Sequence, residues 1–124
     1  MRRTLTLLAA LTLGGTAAAE VKKVPVDYQF DGVTLKGELY YDEALPGKLP
    51  GVLVVHEWWG LNDHARTRAT ELAKLGYAAF ACDMYGDGKV AEHPMDAAKM
   101  SGDVRKNTAV WLGRAKAALD TMAK

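Results

Sequence analysis

The chain has 124 residues, of which 49% are hydrophobic and 25% are charged, and its formal net charge is +1. This composition is typical of one ordinary globular domain and excludes a disordered, collagen-like or multi-spanning protein. Because the charge is close to neutral and no basic stripe occurs, neither nucleic acid nor an anionic membrane is an expected partner.

The N-terminal segment differs from the rest of the chain. A short basic start precedes an apolar run over residues 4–13, and the alanines at 17–19 supply the small-x-small pattern that signal peptidases read. The apolar run is too short for a membrane-spanning helix, which needs about 20 residues. We therefore expect residues 1–19 to be a signal peptide and the mature domain, residues 20–124, to be exported to the periplasm or secreted.

Two segments of alternating apolar and polar residues, 24–30 and 33–41, flank the dipeptide Asp31-Gly32. Asp-Gly in this position is a strong signal for a two-residue turn between antiparallel strands. The turn also predicts the register. On one face Phe30 lies opposite Val33, Tyr28 opposite Leu35, Val26 opposite Gly37 and Val24 opposite Leu39, whereas Asp27 meets Lys36 on the other face.

Residues 51–82 have the pattern of a strand, a helix and a second strand. The uninterrupted aliphatic run at 52–55 is typical of a strand buried on both faces. Asn62 or Asp63 can cap a helix that Gly76 ends. The apolar positions of this helix are Ala65, Ala69 and Leu72.

The second strand, residues 77–82, contains the only cysteine, Cys82, which we interpret as a small core residue. A strand, a helix and a strand joined by short loops predict a βαβ unit with parallel strands. We expect the strand that holds Cys82 to present an unpaired edge, which would leave the domain incomplete.

Two further helices are expected after the glycines at 86 and 88. A short one covers residues 94–100 and a longer one covers residues 106–122. The longer helix has a predicted apolar face. Its members are Trp111, Leu112, Ala115, Leu119 and Met122.

The strongest candidate site residues lie in residues 54–60, which read Val-Val-His-Glu-Trp-Trp-Gly. It lies where a parallel strand ends and a helix begins, and ligands of open α/β sheets bind at the carboxyl ends of strands. Between an apolar strand and two indoles, Glu57 is expected to be desolvated and able to accept a proton near neutral pH. The alternative is that Glu57 caps the following turn or pairs with a basic neighbour.

Several other site types are excluded. Position 60 is glycine, so His56 and Glu57 do not begin an H-E-x-x-H zinc motif. The spacing of the histidines fits no metal-ligand pattern, and no glycine-rich loop matches a nucleotide-binding fingerprint, so no metal and no cofactor are expected. A nucleophile elbow, G-x-S-x-G or its cysteine equivalent, is absent, since neither Ser101 nor Cys82 has the flanking glycines.

Residues 51–64 and 75–89 together resemble the first half of the dienelactone hydrolase family, and its exported members in particular. The H-E-W-W-G-L-N-D string at 56–63 is the most specific part. The resemblance implies that the mature domain is the N-terminal portion of an α/β-hydrolase fold acting on a small-molecule ester or lactone. It also implies that Glu57 accepts the proton of a nucleophilic cysteine and that the Trp58 backbone amide is half of the oxyanion hole.

In that family the cysteine, aspartate and histidine of the triad lie further along, beginning with a G-Y-C-x-G-G elbow on the next strand. This chain stops at Lys124, so we expect a fragment that is inactive alone and has the missing C-terminal half as its partner. Trp59 and Tyr85 would contact the substrate. The founding enzymes hold a substrate carboxylate with an arginine shortly after Asp-x-Tyr; here Lys89 would supply the cation, without the bidentate fork of arginine.

A second hypothesis is a non-catalytic secreted half-domain. It would bind a small molecule or a partner through Trp58, Trp59 and Tyr85, because aromatic residues in loops can serve as binding anchors.

Overall fold

The computed structural model describes residues 19–124, so the predicted signal peptide lies outside the described residues except for Ala19. Within this range no helix has the length and apolar character needed to cross a membrane. The elements in chain order are β1 (Val21–Phe30), β2 (Val33–Asp42), β3 (Gly51–Val55), α1 (Asp63–Lys74), β4 (Ala78–Cys82), α2 (Pro94–Lys106) and α3 (Thr108–Met122).

The predicted hairpin is confirmed, including every pair of the predicted register. Asp31 and Gly32 have φ angles of 49° and 75°. Positive φ at both central residues is the turn geometry whose twist matches that of two antiparallel strands. Both strands are longer than predicted, because pairing continues to Val21 opposite Asp42.

The sheet has the order β1-β2-β4-β3, with β4 antiparallel to β2 and parallel to β3. The parallel pairing of β3 and β4 was predicted correctly. The predicted edge was wrong, because the Cys82 strand is flanked on both sides, and β1 and β3 are the edge strands among the described residues. The prediction that β3 is buried on both faces was only partly correct. Val52 and Val54 pack against one cluster and Leu53 against the other, but these residues are only partly buried and Val55 is 50% exposed. An aliphatic run indicates two apolar faces but carries no information about lateral neighbours.

Two apolar clusters cover the two faces of the sheet, and β4 contributes alternate residues to them. Ala79 and Ala81 belong to the cluster that contains the buried alanines of α1. Phe80 and Cys82 belong to the cluster that contains Ala118 of α3. Because successive side chains of a strand point to opposite faces, this central strand is buried on both sides. The cores therefore form around β4.

Helix α1 has the predicted ends. The Asn62 side chain accepts a hydrogen bond from the Ala65 amide at 3.3 Å, and Gly76 follows the helix with a φ of 101°. The helix is also tied to β2, where Arg66 Nε donates to Glu38 Oε2 at 3.0 Å. Burial alone would raise the pKa of Glu38, but hydrogen bonds from Tyr40 and Arg66 outweigh it and hold that pKa below its usual value.

Helix α2 is longer than predicted and ends at Lys106. The Asn107 side chain accepts from the Val110 amide at 3.2 Å and thereby starts α3 at Thr108. The predicted apolar face of α3 was only partly correct. Ala115 and Met122 pack against the sheet beside the buried Ala118, whereas Trp111, Leu112 and Leu119 are exposed. Apolar residues occur on more than one face of this helix, so their spacing could not choose the face that the sheet contacts.

Candidate active site

A cleft of about 330 Å³ lies at the carboxyl ends of β3 and β4. Three segments and one aromatic side chain form its walls: residues 55–58, Met84 with Tyr85, Ser101 with Val104 and Arg105, and Trp111. This is the edge of the sheet at which the sequence predicted a site.

The turn after β3 closes with a hydrogen bond from the Gly60 amide to the Glu57 carbonyl at 3.2 Å. Gly60 has a φ of 98°, and a Cβ there would lie 2.7 Å from the Lys89 carbonyl oxygen. Both the left-handed backbone and the close approach require glycine. The turn is therefore packed against the chain that follows β4.

The Glu57 side chain is 69% exposed, so the predicted desolvation of this carboxylate is wrong for the described residues. Glu57 lines the cleft, and the indoles of Trp58 and Trp59 pack edge to face on each other with centroids 5.2 Å apart. The nearest basic group is His64, whose Nε2 lies 3.6 Å from Glu57 Oε1. The contact with a basic neighbour, which was the alternative interpretation, is present.

At the same turn, Trp58 has a hydrogen-bond donor that is unpaired among the described residues. Its backbone amide makes no hydrogen bond within residues 19–124. Its carbonyl oxygen, by contrast, accepts from the Tyr85 hydroxyl at 2.5 Å. The Trp58 carbonyl is thus anchored, whereas its amide has no hydrogen-bond partner within residues 19–124.

His56 connects the turn to the loop after β4. Its Nε2 lies 3.0 Å from the Met84 amide nitrogen and its Nδ1 lies 2.6 Å from the Glu57 carbonyl oxygen. A backbone N–H can only donate and a carbonyl can only accept, so the ring is neutral with its proton on Nδ1. Burial lowers the pKa of His56, although the hydrogen bond to Glu57 and the charge of Asp83 act in the opposite direction.

Asp83 anchors that loop and is fully buried. Its Oδ1 accepts from the amides of Tyr85 at 3.0 Å and Gly86 at 2.9 Å. Its Oδ2 accepts from the amides of Lys36 at 3.0 Å and Gly88 at 2.8 Å. One carboxylate therefore shapes the loop 83–88 and fastens it to β2. The sequence offered one signal for this role, an acidic residue directly after a buried strand and before Gly-x-Gly.

Cys82 is a core residue, as predicted. Its thiol is buried and its Sγ lies 3.3 Å from the Val54 carbonyl oxygen. Burial raises the pKa of Cys82 to about 12. Because the thiolate is the nucleophilic form, this thiol is unreactive at physiological pH.

The structure brings together three of the predicted site residues, Glu57, Trp58 and Tyr85. Trp59 is not part of the cleft wall, and Lys89 lines a separate groove beside Arg114.

Sequence reasoning missed Arg105, which supplies a cation to the cleft and whose Nη2 donates to Ser101 Oγ at 3.1 Å. Ser101 and Arg105 are one helical turn apart, which could have indicated the pair, but the predicted helix ended at Met100. Within residues 19–124, no three His, Cys, Asp or Glu side chains converge as a metal-binding group.

Comparisons with known proteins by sequence and by structure agree with one another. A sequence model of the dienelactone hydrolase family matches residues 36–124. Among curated proteins, Protein usf of Aquifex pyrophilus is 36% identical over 85 residues, which is 66% of this chain and 35% of that protein.

Two solved structures are also similar. The structure named m3DLH has a TM-score of 0.79 and 42% identity, covering 83% of this chain and 43% of its own. A dienelactone hydrolase-like promiscuous phosphotriesterase from metagenomic libraries has a TM-score of 0.76 and 41% identity, covering 81% of this chain and 41% of its own. The predicted α/β fold is therefore confirmed, and the chain spans less than half the length of these relatives.

Proposed function

The chain belongs to the dienelactone hydrolase family, and we propose that it forms the N-terminal part of a hydrolase of carboxylic esters or lactones. The observation that carries the proposal is one turn at the carboxyl end of β3. Glu57 and Trp58 of this turn both line the cleft, the Glu57 carboxylate is exposed, and the Trp58 amide makes no hydrogen bond within residues 19–124. A carboxylate can accept a proton, and a preorganised amide can donate to the oxyanion of a tetrahedral intermediate.

The nucleophile of the proposed enzyme is a cysteine in sequence that follows Lys124. Within residues 19–124 the two candidates are unsuitable, since Cys82 is buried and the Ser101 hydroxyl is bonded to the Ala98 carbonyl and Arg105. The open side of β3 leaves room for a further strand beside Val55, where this cysteine would reach the cleft. The chain alone is therefore proposed to be inactive.

In the proposed reaction the cysteine thiol gives its proton to Glu57, and the thiolate adds to the carbonyl carbon of the ester. The Trp58 amide donates to the oxyanion that forms. Collapse of this intermediate breaks the C–O bond of the ester and leaves a thioester, and the leaving alkoxide takes the proton from Glu57, which restores the carboxylate. Water then hydrolyses the thioester to the acid and restores the thiol.

The test is an assay of the full-length protein, after the coding DNA beyond Lys124 is read for an in-frame Gly-x-Cys-x-Gly. We expect saturable hydrolysis of p-nitrophenyl acetate that iodoacetamide abolishes, because alkylation consumes the nucleophile. A phosphotriester is a second probe, in view of the similar phosphotriesterase. A folded full-length protein without esterase activity would contradict the proposal, and saturable binding by that protein would favour the binding function through Trp58, Trp59 and Tyr85.

The same assay tests which cationic residue binds the carboxylate of an acidic substrate. Arg105→Gln is expected to raise KM for an ester that carries a carboxylate about fivefold, equivalent to ~1 kcal/mol for an exposed ion pair, and to leave a neutral ester unchanged. Lys89→Gln is the matched control, since Lys89 lines a different groove. A larger effect of Lys89→Gln than of Arg105→Gln would assign the carboxylate contact to the lysine.

The proposal includes export to the periplasm or the medium, which rests on the residue pattern at 1–19. N-terminal sequencing of the protein isolated from its native compartment tests this, and a start well before Glu20 would contradict it.

A further inference from the structure

We infer that His56 is a positioning residue that holds the turn carrying Glu57 and the Trp58 amide in place only while its imidazole is neutral. The inference rests on the proposed function, since it concerns the same turn. The geometry of the site then depends on the protonation of His56, which has no direct contact with the reacting atoms in the proposed mechanism.

Two links join the turn to the loop 83–88. One runs from the Met84 amide through the His56 ring to the Glu57 carbonyl, with distances of 3.0 Å and 2.6 Å. The other is the hydrogen bond from the Tyr85 hydroxyl to the Trp58 carbonyl. Because Asp83 fixes the loop through its own hydrogen bonds, the loop is the rigid side of both links.

Protonation of the ring breaks the first link. A proton on Nε2 would face the Met84 N–H across 3.0 Å, so two donors would oppose each other and the Met84 amide would lose its acceptor. The bond from Nδ1 to the Glu57 carbonyl survives, but the ring no longer connects that carbonyl to the loop. The turn would then be held to the chain after β4 by the Tyr85 hydroxyl and by the hydrogen bond from the Ala91 amide to the Trp59 carbonyl at 2.8 Å.

Charged and aromatic groups lie around the His56 ring. From the β4 side, the charge of Asp83 favours the imidazolium, and the Tyr85 ring packs against the imidazole with centroids 4.8 Å apart. From its own turn, the Glu57 carboxylate is directed to solvent and to His64. From α2, the cationic Arg105 lines the same cleft.

Burial is the dominant influence and lowers the pKa of His56. The folded protein therefore binds fewer protons than the unfolded chain below the ordinary histidine value of about 6.5. The contribution of this link to stability is present above that value and is lost as the pH falls through the lower pKa of the folded state. Acidification, rather than alkalinisation, is expected to break the His56 link to the loop 83–88.

Glutamine at position 56 distinguishes protonation from simple packing. Its amide can offer an oxygen to the Met84 N–H and an N–H to the Glu57 carbonyl, and it does not titrate over this range. His64→Gln is the matched control, because His64 lies 3.6 Å from Glu57 but has no contact with Met84 among the described hydrogen bonds.

The experiment is a pH titration of the full-length protein by NMR, with 15N-labelled histidine, tryptophan and methionine, between about pH 5 and pH 8. In the unmodified protein we expect a neutral His56 ring protonated on Nδ1. The amide signals of Met84 and Trp58 should shift with one midpoint below about 6.5, shared with the His56 ring. In His56→Gln these shifts should be absent, and in His64→Gln they should remain.

Three results would overturn the inference: a ring protonated on Nε2, amide signals that do not follow the His56 titration, or a transition that persists in His56→Gln. If that variant does not fold, the titration of the unmodified protein and of His64→Gln decides. These signals do not depend on turnover, so a protein without esterase activity would contradict the proposed function and leave this test intact.

Discussion

Asp83→Ala is expected to destabilise the full-length protein by about 3–5 kcal/mol, because it strips buried backbone amides of a charged acceptor that nothing else replaces. The fully buried carboxylate serves the amides of Lys36, Tyr85, Gly86 and Gly88. The loss also releases the loop that holds Tyr85 and Met84 beside the cleft. Activity should therefore fall together with stability.

Urea denaturation followed by circular dichroism measures this effect as a lower midpoint. Asp87→Asn is the matched control, since Asp87 lies in the same loop, is exposed, and has a φ of 52° that asparagine tolerates. Asp83→Asn should fall between the two, because its amide keeps one acceptor oxygen but turns an NH₂ group toward backbone donors. Equal midpoints for Asp83→Ala and Asp87→Asn would show that the hydrogen bonds of Asp83 contribute little.

The second large effect is expected on catalysis. Glu57→Gln should lower kcat/KM for a neutral ester about 10²–10⁴-fold, the range found for loss of a general base, since glutamine cannot take the proton of the thiol. The 69% exposed side chain contributes little to packing, so the urea midpoint should stay within error of the unmodified protein. Alkylation of the cysteine by iodoacetamide should slow in parallel.

Glu71→Gln provides the matched control for Glu57→Gln. Glu71 is also an exposed carboxylate paired with a basic residue, Arg68 at 2.8 Å, but it lies on α1 and outside the cleft. We expect this variant to retain full activity. A Glu57→Gln enzyme that keeps at least half of the normal rate would remove Glu57 from the proton transfer.

The sequence by itself determined the parts of the fold that rest on local interactions. The Asp31-Gly32 turn specifies the twist and register of the hairpin, because two residues with positive φ admit one way of pairing the flanking strands. Asn62 and Gly76 likewise determine both ends of α1 through contacts within a few residues. The position of Glu57 and Trp58 at the end of a strand followed from the same local pattern.

Only the tertiary structure decided which of these elements are neighbours. An aliphatic run such as β3 has the same composition at the centre of a sheet and at its edge, so its exposure depends on strands that are distant in sequence. The exposure of Glu57 and the cation at Arg105 depend in the same way on how the turn, the loop after β4 and α2 converge. Asp83 accepts a hydrogen bond from the Lys36 amide, 47 residues away in the sequence. Contacts between residues so distant in sequence depend on how the elements pack, and a local sequence pattern does not specify that packing.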